Sequence, residues 1–451
     1  MHSINLPNEA LAALSILEDA GFEAWGVGGC VRDMLLGRAC SDIDIATSAT
    51  CSDVQATFER CGLRVHDTGS KHGTVTVIVG DAAFETTTYR TDGTYSDGRH
   101  PDQVRFVTSI QEDLARRDFT INAMAYHPER GLIDPYGGRC DLQRGVIRTV
   151  GDPVQRFSED ALRILRGCRF CAQFGFPIEQ MTLQAMIRSK KLMAGVSRER
   201  VTAELTKLLT SPYAGSAIMN TVDALSAVLP ELVAMKGFDQ KTPYHIYDVL
   251  EHTAHVVDAV RPTPTLRWAA LLHDVGKPAA FFTDDTGTGH FYGHANISRV
   301  VAEGVMNRMS FSAVFRQQVV TLVEHHDDVI DTTPKAVKRA VRRLGGNEQL
   351  FRMLCELKRG DSKGQAPQYH TRIAHATELE RILDDIIRED EAFKIGDLAI
   401  NGNDVIAAGV ERGPLVGHVL NAALDAVIEG TVQNEPYALR AFVRDWAAKK
   451  H

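Results

Sequence analysis

The spacing of apolar positions changes period part-way along the chain. Leu11 to Ala20 repeats as one face of an amphipathic helix. Thr74-Val75-Thr76-Val77-Ile78-Val79 is β-branched throughout and predicts a strand, as does Ala83 to Tyr89. Arg90 to Pro101 is dense in Thr, Asp, Gly and Ser and predicts a loop. Gly131 to Pro135 and Gly145 to Val150 predict short closing strands. After about Val150 the spacing is helical almost throughout. Asp160 to Phe170, Val201 to Leu209, Val249 to Val260 and Thr265 to Leu272 each predict a helix, punctuated by loops such as Arg261 to Pro264 and Asp284 to Gly289. The pattern is that of an α+β head followed by a long α-helical body.

Composition narrows the class. At 451 residues the chain is too long for one core. Its 44% hydrophobic and 24% charged residues are those of an ordinary globular protein. A net charge of −8 argues against indiscriminate polyanion binding but leaves room for a local basic groove. The basic run from Lys335 to Arg343 is the best candidate for a nucleic-acid footprint. No apolar run is long enough to span a bilayer, and Met1 to Asn5 has neither the basic nor the apolar region of a signal peptide. The eight cysteines show no framework spacing, and Cys168 and Cys171 have no second pair to complete a zinc site. A reducing, cytoplasmic compartment is therefore expected. Nothing in the sequence sets the oligomeric state.

The densest chemistry lies near the N-terminus, in Gly28-Gly29-Cys30-Val31-Arg32-Asp33 and then Asp42-Ile43-Asp44. A glycine pair opens a helix carrying Arg32, and two carboxylates follow on a strand. Strand side chains alternate, so Asp42 and Asp44 share a face while Ile43 and Ile45 enter the core. Paired carboxylates beside a glycine turn and an arginine suit a Mg²⁺–triphosphate complex. Further along come Phe84-Glu85-Thr86, Arg116-Arg117-Asp118-Phe119-Thr120-Ile121-Asn122 and Glu159-Asp160-Ala161-Leu162-Arg163. Asp160 and Arg163 are three apart, hence neighbours on one helix face, and Arg166 and Arg169 continue that spacing.

Together these motifs resemble the class II tRNA nucleotidyltransferases, that is, the CCA-adding enzymes and the related bacterial poly(A) polymerases. The resemblance covers the whole chain. It implies an α+β fold: a polymerase-β-like nucleotidyltransferase head with a mixed sheet and flanking helices over 1–150. A helical neck and RNA-binding region would follow over 151–235, then an HD domain over 236–370 and an RNA-binding tail over 371–451. It implies that Asp42 and Asp44 hold Mg²⁺ with Glu85 as third carboxylate, and that Gly28, Gly29 and Arg32 meet the triphosphate. Arg116, Arg117, Asp118 and Asn122 would serve triphosphate and ribose. Asp160 and Arg163, with Arg166 and Arg169, would read the base: a carboxylate accepts from the amino group that cytosine and adenine share, and a guanidinium donates to the adjacent ring acceptor. His100 stands where the family more often has arginine.

A second signature lies in the body. Leu271-Leu272-His273-Asp274-Val275-Gly276-Lys277 follows an apolar helix, with His252 upstream and His294, His325-His326 and Asp361 downstream. Imidazoles and carboxylates gathered from several helices make a divalent metal site for phosphate-ester hydrolysis. This resembles the HD phosphohydrolases, and the resemblance implies His252, His273, Asp274, His294, His325 and Asp361 around a transition metal (Mn, Fe, Co, Ni or Zn). His325 is favoured over His326. The leading reading is addition of C, C and A to tRNA from CTP and ATP, with a second, metal-dependent phosphohydrolase activity. The alternatives are a poly(A) polymerase, or an HD phosphodiesterase as the main activity.

Overall fold

The computed structural model describes residues 2–40, 42–70, 73–92, 104–242, 246–369, 371–389 and 391–448. Two compact units divide the chain, Met1–Val233 and Ala234–His451. His100 and the rest of the expected loop beyond Asp92 lie outside the described residues.

In the first unit, helix α1 (Asn8–Asp19) leads to strand β1 (Ala24–Val27), helix α2 (Gly29–Leu35) and strand β2 (Asp44–Thr47). Next come α3 (Cys51–Arg60), β3 (Arg64–Gly69), β4 (Thr74–Val79) and β5 (Ala82–Thr88). A small pair, β6 (Arg90–Asp92) with β7 (Val104–Phe106), precedes α4 (Ile110–Ala115), β8 (Ala125–His127), β9 (Gly131–Ile133) and α5 (Gly138–Arg144). The main sheet has seven strands in the order β3-β4-β5-β2-β1-β8-β9. The pair β2 and β5 is parallel, and the other neighbours are antiparallel. It is thus the mixed sheet with flanking helices that the motifs imply.

The period of two works as expected. Ile43 and Ile45 sink on one face with Leu14, Phe58 and Val77, while Ala46 joins Trp25, Val27 and Tyr89 on the other. Each such side chain is worth roughly 1.5–3 kcal/mol when fully buried. A one-residue slip of β2 would exchange isoleucines for carboxylates on both faces, so the core sets the register of the acidic residues. Gly145 to Val150 is not a strand. Its backbone is shared between two loops, with isolated bridges Ile147 to Ile178 and Phe119 to Thr149, so no ladder forms.

Helices complete the unit: α6 (Pro153–Glu159), α7 (Leu162–Phe174), α8 (Gln180–Ser189), α9 (Arg198–Leu209) and α10 (Ala214–Leu225), with α11 (Glu231–Met235) at the junction. Asp152 caps α6 by accepting from the Val154 and Gln155 N–H groups, with Pro153 in the first turn. The helix expected from Asp160 begins two residues later. Asp160 is extended (φ −143°, ψ 105°), and its Oδ1 accepts from the Leu162 N–H at 3.0 Å. A short acidic side chain competes with the helix for that N–H and breaks the run into two helices.

The second unit is helical apart from a hairpin. It runs through α12 (Val249–Ala259), α13 (Pro264–Leu272), α14 (Lys277–Ala280), the hairpin β10 (Phe282–Thr283) and β11 (Gly289–His290), and α15 (His294–Arg308). There follow α16 (Ala313–His325), α17 (Pro334–Arg343), α18 (Glu348–Lys363) and α19 (Thr371–Arg388), then α20 (Gly402–Ala407), α21 (Pro414–Ile428) and α22 (Pro436–Ala448). Trp268 and Phe351 are fully buried in it. No described helix is long and apolar enough to cross a membrane.

The basic helix α17 is not an open footprint. Lys335 and Arg339 pair with Glu429, Lys338 with Glu391, Arg342 with Asp425 and Arg343 with Asp328. Its positive charge is spent on acidic side chains of its own unit, a pattern the linear sequence hides because the partners lie far along the chain.

Candidate active site and metal centre

In the first unit, the parallel pairing places Asp44 of β2 directly beside Glu85 of β5. Asp42, just before the strand, joins them in the wall of one cavity of about 720 Å³. Burial, opposed by the Arg117 guanidinium and reinforced by Glu85 and Asp42, pushes Asp44 up to about 6. A carboxylate held against its neighbours in this way is set to receive a cation, and an all-oxygen donor set suits a hard divalent metal.

Gly28 has φ 74°, a conformation that favours glycine, and a Cβ there would meet Arg117 Nη1 at 2.5 Å. The turn therefore lets the arginine lie against the backbone at the start of α2. Arg32 is buried; its Nη1 donates to Asn122 Oδ1 at 2.5 Å, and its other nitrogens donate to Asp33. Its guanidinium lies 4.9 Å from the Phe174 ring centre.

Asp113 was missed in the sequence, although it stands three and four residues before Arg116 and Arg117 on α4. Its buried carboxylate accepts from Arg116 at 2.9 Å and pairs with Arg117 at 3.5 Å. Burial alone would raise its pKa, but these guanidinia hold it below the usual range. Asp118 behaves alike: burial opposes its charge, yet Arg166, at 2.7 Å, and Asn122 hold it well below the carboxylate range. Arg169 is held by Glu204 at 2.6 Å, with its guanidinium over Phe170.

Asp160 and Arg163 both line the cavity; the Arg163 N–H donates to the Asp160 carbonyl, but their side chains take other partners. Arg163 donates to Glu159 at 2.6 Å and to the Arg116 carbonyl at 3.1 Å, while Asp160 accepts from Arg200 at 2.8 Å. The simple i,i+3 salt bridge is absent because Asp160 sits outside the helix. Arg200 reaches Asp160 from the first turn of α9.

The second unit gathers the other set. His252, His273, Asp274 and Asp361 bring ligand atoms within 4.8 Å of one another, and Asp274, His294 and His326 form a group of the same kind. His252 Nε2 lies 3.3 Å from Asp274 Oδ2 and 3.0 Å from Asp361 Oδ1. His294 and His326 lie 3.3 and 3.5 Å from Asp274 Oδ1. One carboxylate thus faces a histidine group with each of its oxygens.

The outer nitrogens reveal the tautomers. His252 Nδ1 donates to the Gly364 carbonyl, His273 to Ala270, His294 to Phe291 and His326 to Val323, at 2.7–3.0 Å. A carbonyl can only accept, so each neutral ring carries its proton outside and turns a bare Nε2 inward. The Nε2 atoms of His252 and His273 then face each other across 3.3 Å, and those of His294 and His326 across 3.1 Å. Donors about 2.1 Å from an ion sit about 3 Å apart across a right angle. The residues present therefore fit a metal. Burial opposes charge on His252, yet Asp274 and Asp361 raise it to about 9, so without an ion this ring also takes a proton at Nε2, which a metal would displace. Lys277 Nζ lies 2.6 Å from Asp274 Oδ2, a contact not foreseen in the sequence.

Gly364 permits the approach of His252, since a Cβ there would lie 2.8 Å from its Nδ1. His326, and not the expected His325, faces the cluster. His325 Nδ1 pairs with Asp328 at 3.0 Å, outside the cluster. His326 lies three, four and seven residues after the buried Val323, Leu322 and Val319, a periodicity that would have chosen it.

Comparison with known proteins agrees with these motifs. A family described as the poly A polymerase head domain matches residues 24–148, and the HD domain family matches 243–386. A probable RNA-binding region of polymerase A matches 175–235, and a putative tRNA nucleotidyltransferase domain matches 362–443. The CCA-adding enzyme of Geobacillus stearothermophilus is 34% identical over 97% of this chain and 96% of its own length. The chain belongs to the CCA-adding enzyme family. The CCA-adding enzyme of Geobacillus thermodenitrificans is 36% identical, again over 97% and 96% of the two chains. A solved CCA-adding enzyme of Bacillus stearothermophilus, in complex with CTP, superposes with a TM-score of 0.71 at 31% identity over 98% of each chain. The Thermotoga maritima CCA-adding enzyme complexed with tRNA shares the fold at 22% identity, with a TM-score of 0.57 over 97% of this chain and 94% of that one. As a CCA-adding nucleotidyltransferase, the chain calls for a divalent metal.

Proposed function

We propose that this nucleotidyltransferase adds C, C and A to the 3′ end of tRNA from CTP and ATP, releasing pyrophosphate. The observation that carries the reading is the Asp44–Glu85 register, with Asp42 in the same arginine-rimmed cavity. Asp42, Asp44 and Glu85 would hold Mg²⁺, which supplies Lewis acidity to the triphosphate and to the RNA 3′ hydroxyl. Arg116 and Arg117, aligned by Asp113, offset phosphate charge, and the Gly28–Gly29 backbone lets phosphate approach. Asp160 accepts from the amino group of cytosine or adenine, and Arg163 donates beside it; Arg200 and Glu159 hold the two in place. The relatives are CCA-adding enzymes, which disfavours poly(A) polymerase.

The parts proceed as head 1–150, neck 151–235, HD domain 236–370 and RNA-binding tail 371–451. A cytoplasmic setting is supported by the described cysteines, all free thiols. The HD cluster is a second site for hydrolysis of a phosphate ester, in which the oxygen of water bonds to phosphorus as the ester P–O bond breaks. Its imidazole-rich donors favour Mn, Fe, Co, Ni or Zn over Mg. His252, His273, Asp274 and Asp361 would hold one ion; His294 and His326, sharing Asp274, would hold a neighbour.

The test is direct. Purified protein with tRNA lacking its 3′ CCA, labelled CTP or ATP, and Mg²⁺ should give a product longer by C, C and A and then stop. Runs of A would instead mark a poly(A) polymerase.

A further inference from the structure

The short hairpin β10–β11 beside the metal cluster carries an exposed aromatic group that the proposed hydrolysis does not explain. Phe282 and His290 are cross-strand partners whose rings stack with centres 5.3 Å apart. Tyr292 stacks on His290 at 5.4 Å, with planes 22° apart, and also contacts Phe282. Asp284 Oδ2 pairs with His290 Nε2 at 2.7 Å and holds that ring in orientation. Tyr292 is 75% exposed and Phe282 46%. Large aromatic rings left in water are costly to keep unless something covers them.

Their position indicates what does. His290 and Tyr292 line a cavity of about 270 Å³ whose wall also includes Asp274, His294, His326 and Asp361. Lys277 and Arg372 line the same cavity and supply positive charge next to the cluster. A flat π-surface, a cationic patch and a phosphohydrolase metal cluster thus lie in one enclosure. The volume lies near the lower end of ligand pockets, suited to one nucleotide rather than a folded helix. Aromatic faces accept any base, whereas cations accept only its phosphate.

We infer that the Phe282–His290–Tyr292 platform is a base-stacking subsite of the HD centre, so that this centre takes the phosphate of a nucleotide or of a terminal nucleotide residue. The inference rests on the proposed phosphohydrolase reading and names its substrate class. Tyr292 is a specificity-determining residue: its ring holds the base while Lys277 and Arg372 meet the phosphate.

The test has two independent readouts. In the first, the full-length chain is irradiated with 5-iodouridine 5′-monophosphate and the labelled peptides are mapped. An adduct should appear within 282–292, be suppressed by excess AMP and persist with ribose 5-phosphate, which has no base. Tyr292→Ala should remove it and Tyr292→Phe retain it. In the second, manganese-loaded protein is assayed for phosphate release from AMP and from ribose 5-phosphate, which has no base to stack. Tyr292→Ala should raise the KM for AMP about tenfold while leaving ribose 5-phosphate hydrolysis unchanged. No adduct in the hairpin, or equal competition by ribose 5-phosphate, overturns the platform. So does an equal loss on both substrates, which would mean that the rings merely brace the hairpin. If neither substrate is hydrolysed by any variant but the adduct forms, the hydrolase reading fails and the base subsite stands.

Discussion

The carboxylate site of the first unit and the histidine cluster of the second both gather acidic side chains, yet they are built on opposite plans. The first takes its acids from adjacent strands of a sheet, Asp44 and Glu85 in register, and surrounds them with guanidinia. Its acids are hard oxygen donors beside two central strands, and the cavity there, open to solvent, would let a metal–nucleotide complex come and go with each turnover. The second draws imidazoles and carboxylates from several helices and helix ends, buries most of them and turns the imidazole Nε2 atoms toward one another. Such a site suits an ion that stays. The difference teaches that proximity of carboxylates says little until the neighbouring donors and their tautomers are known.

If the two sites are separate, removing either should spare the other. The largest effect is expected from Asp42→Ala or Asp44→Ala, which should lower CMP and AMP incorporation by about 10³-fold or more. Phosphatase activity of the same proteins should be unchanged. Retained incorporation would remove these residues from the reaction.

Next in size, His273→Ala combined with Asp274→Ala should abolish bound transition metal, measured by elemental analysis, and hydrolysis with it. Incorporation should stay within about twofold of the parent, since it draws on none of these ligands. Loss of incorporation in a folded double variant would show that the two sites are coupled and collapse the contrast.

Asp160→Ala sharpens the comparison inside the first site. A hydrogen bond to a charged group is worth roughly 1.5–3 kcal/mol, so discrimination of C and A over U and G should fall by about tenfold or more. Single-nucleotide incorporation assays read this directly. Unchanged selectivity would reduce Asp160 to a helix-breaking residue bound to Arg200.

The smallest effect concerns charge. The carboxyl of Asp44 is pushed up to about 6 in the folded chain, chiefly by burial. A group raised in this way contributes stability that is complete below its unfolded value, near 4, and is lost as pH rises through about 6. Asp44→Asn should therefore raise the melting midpoint of metal-free protein by a few degrees at pH 7.5 and by less at pH 5. With Mg²⁺ the order should reverse, because the ion stabilises only the parent carboxylate. No difference between the two pH values would show that Asp44 carries no such strain.

Much of this was readable in the residues. The β-branched run at Thr74–Val79 and the alternation through Ile43 and Ile45 gave strands, core and carboxylate face together, because a period of two leaves little choice. What failed depended on partners distant in sequence. Gly145 to Val150 has strand composition but meets two loops in place of a strand, and most cations of α17 meet Glu391, Asp425 or Glu429, about 50 to 90 residues later. Asp160 was read into a helix because its side chain's claim on the Leu162 N–H leaves no mark on apolar spacing. The choice of His325 over His326 was a failure of a different sort, for the burial period was there to be used.

The last turn of α18 does two tasks at once. Asp361 faces the cluster, and three residues on, the Gly364 carbonyl fixes the tautomer of His252. Each residue of a helix turns the chain by about 100°. Deleting or inserting a single residue between them would swing one of these groups away while the other stayed. This four-residue stretch therefore behaves as one indivisible part: evolution can repaint its other side chains, but it cannot change its length without dismantling the centre.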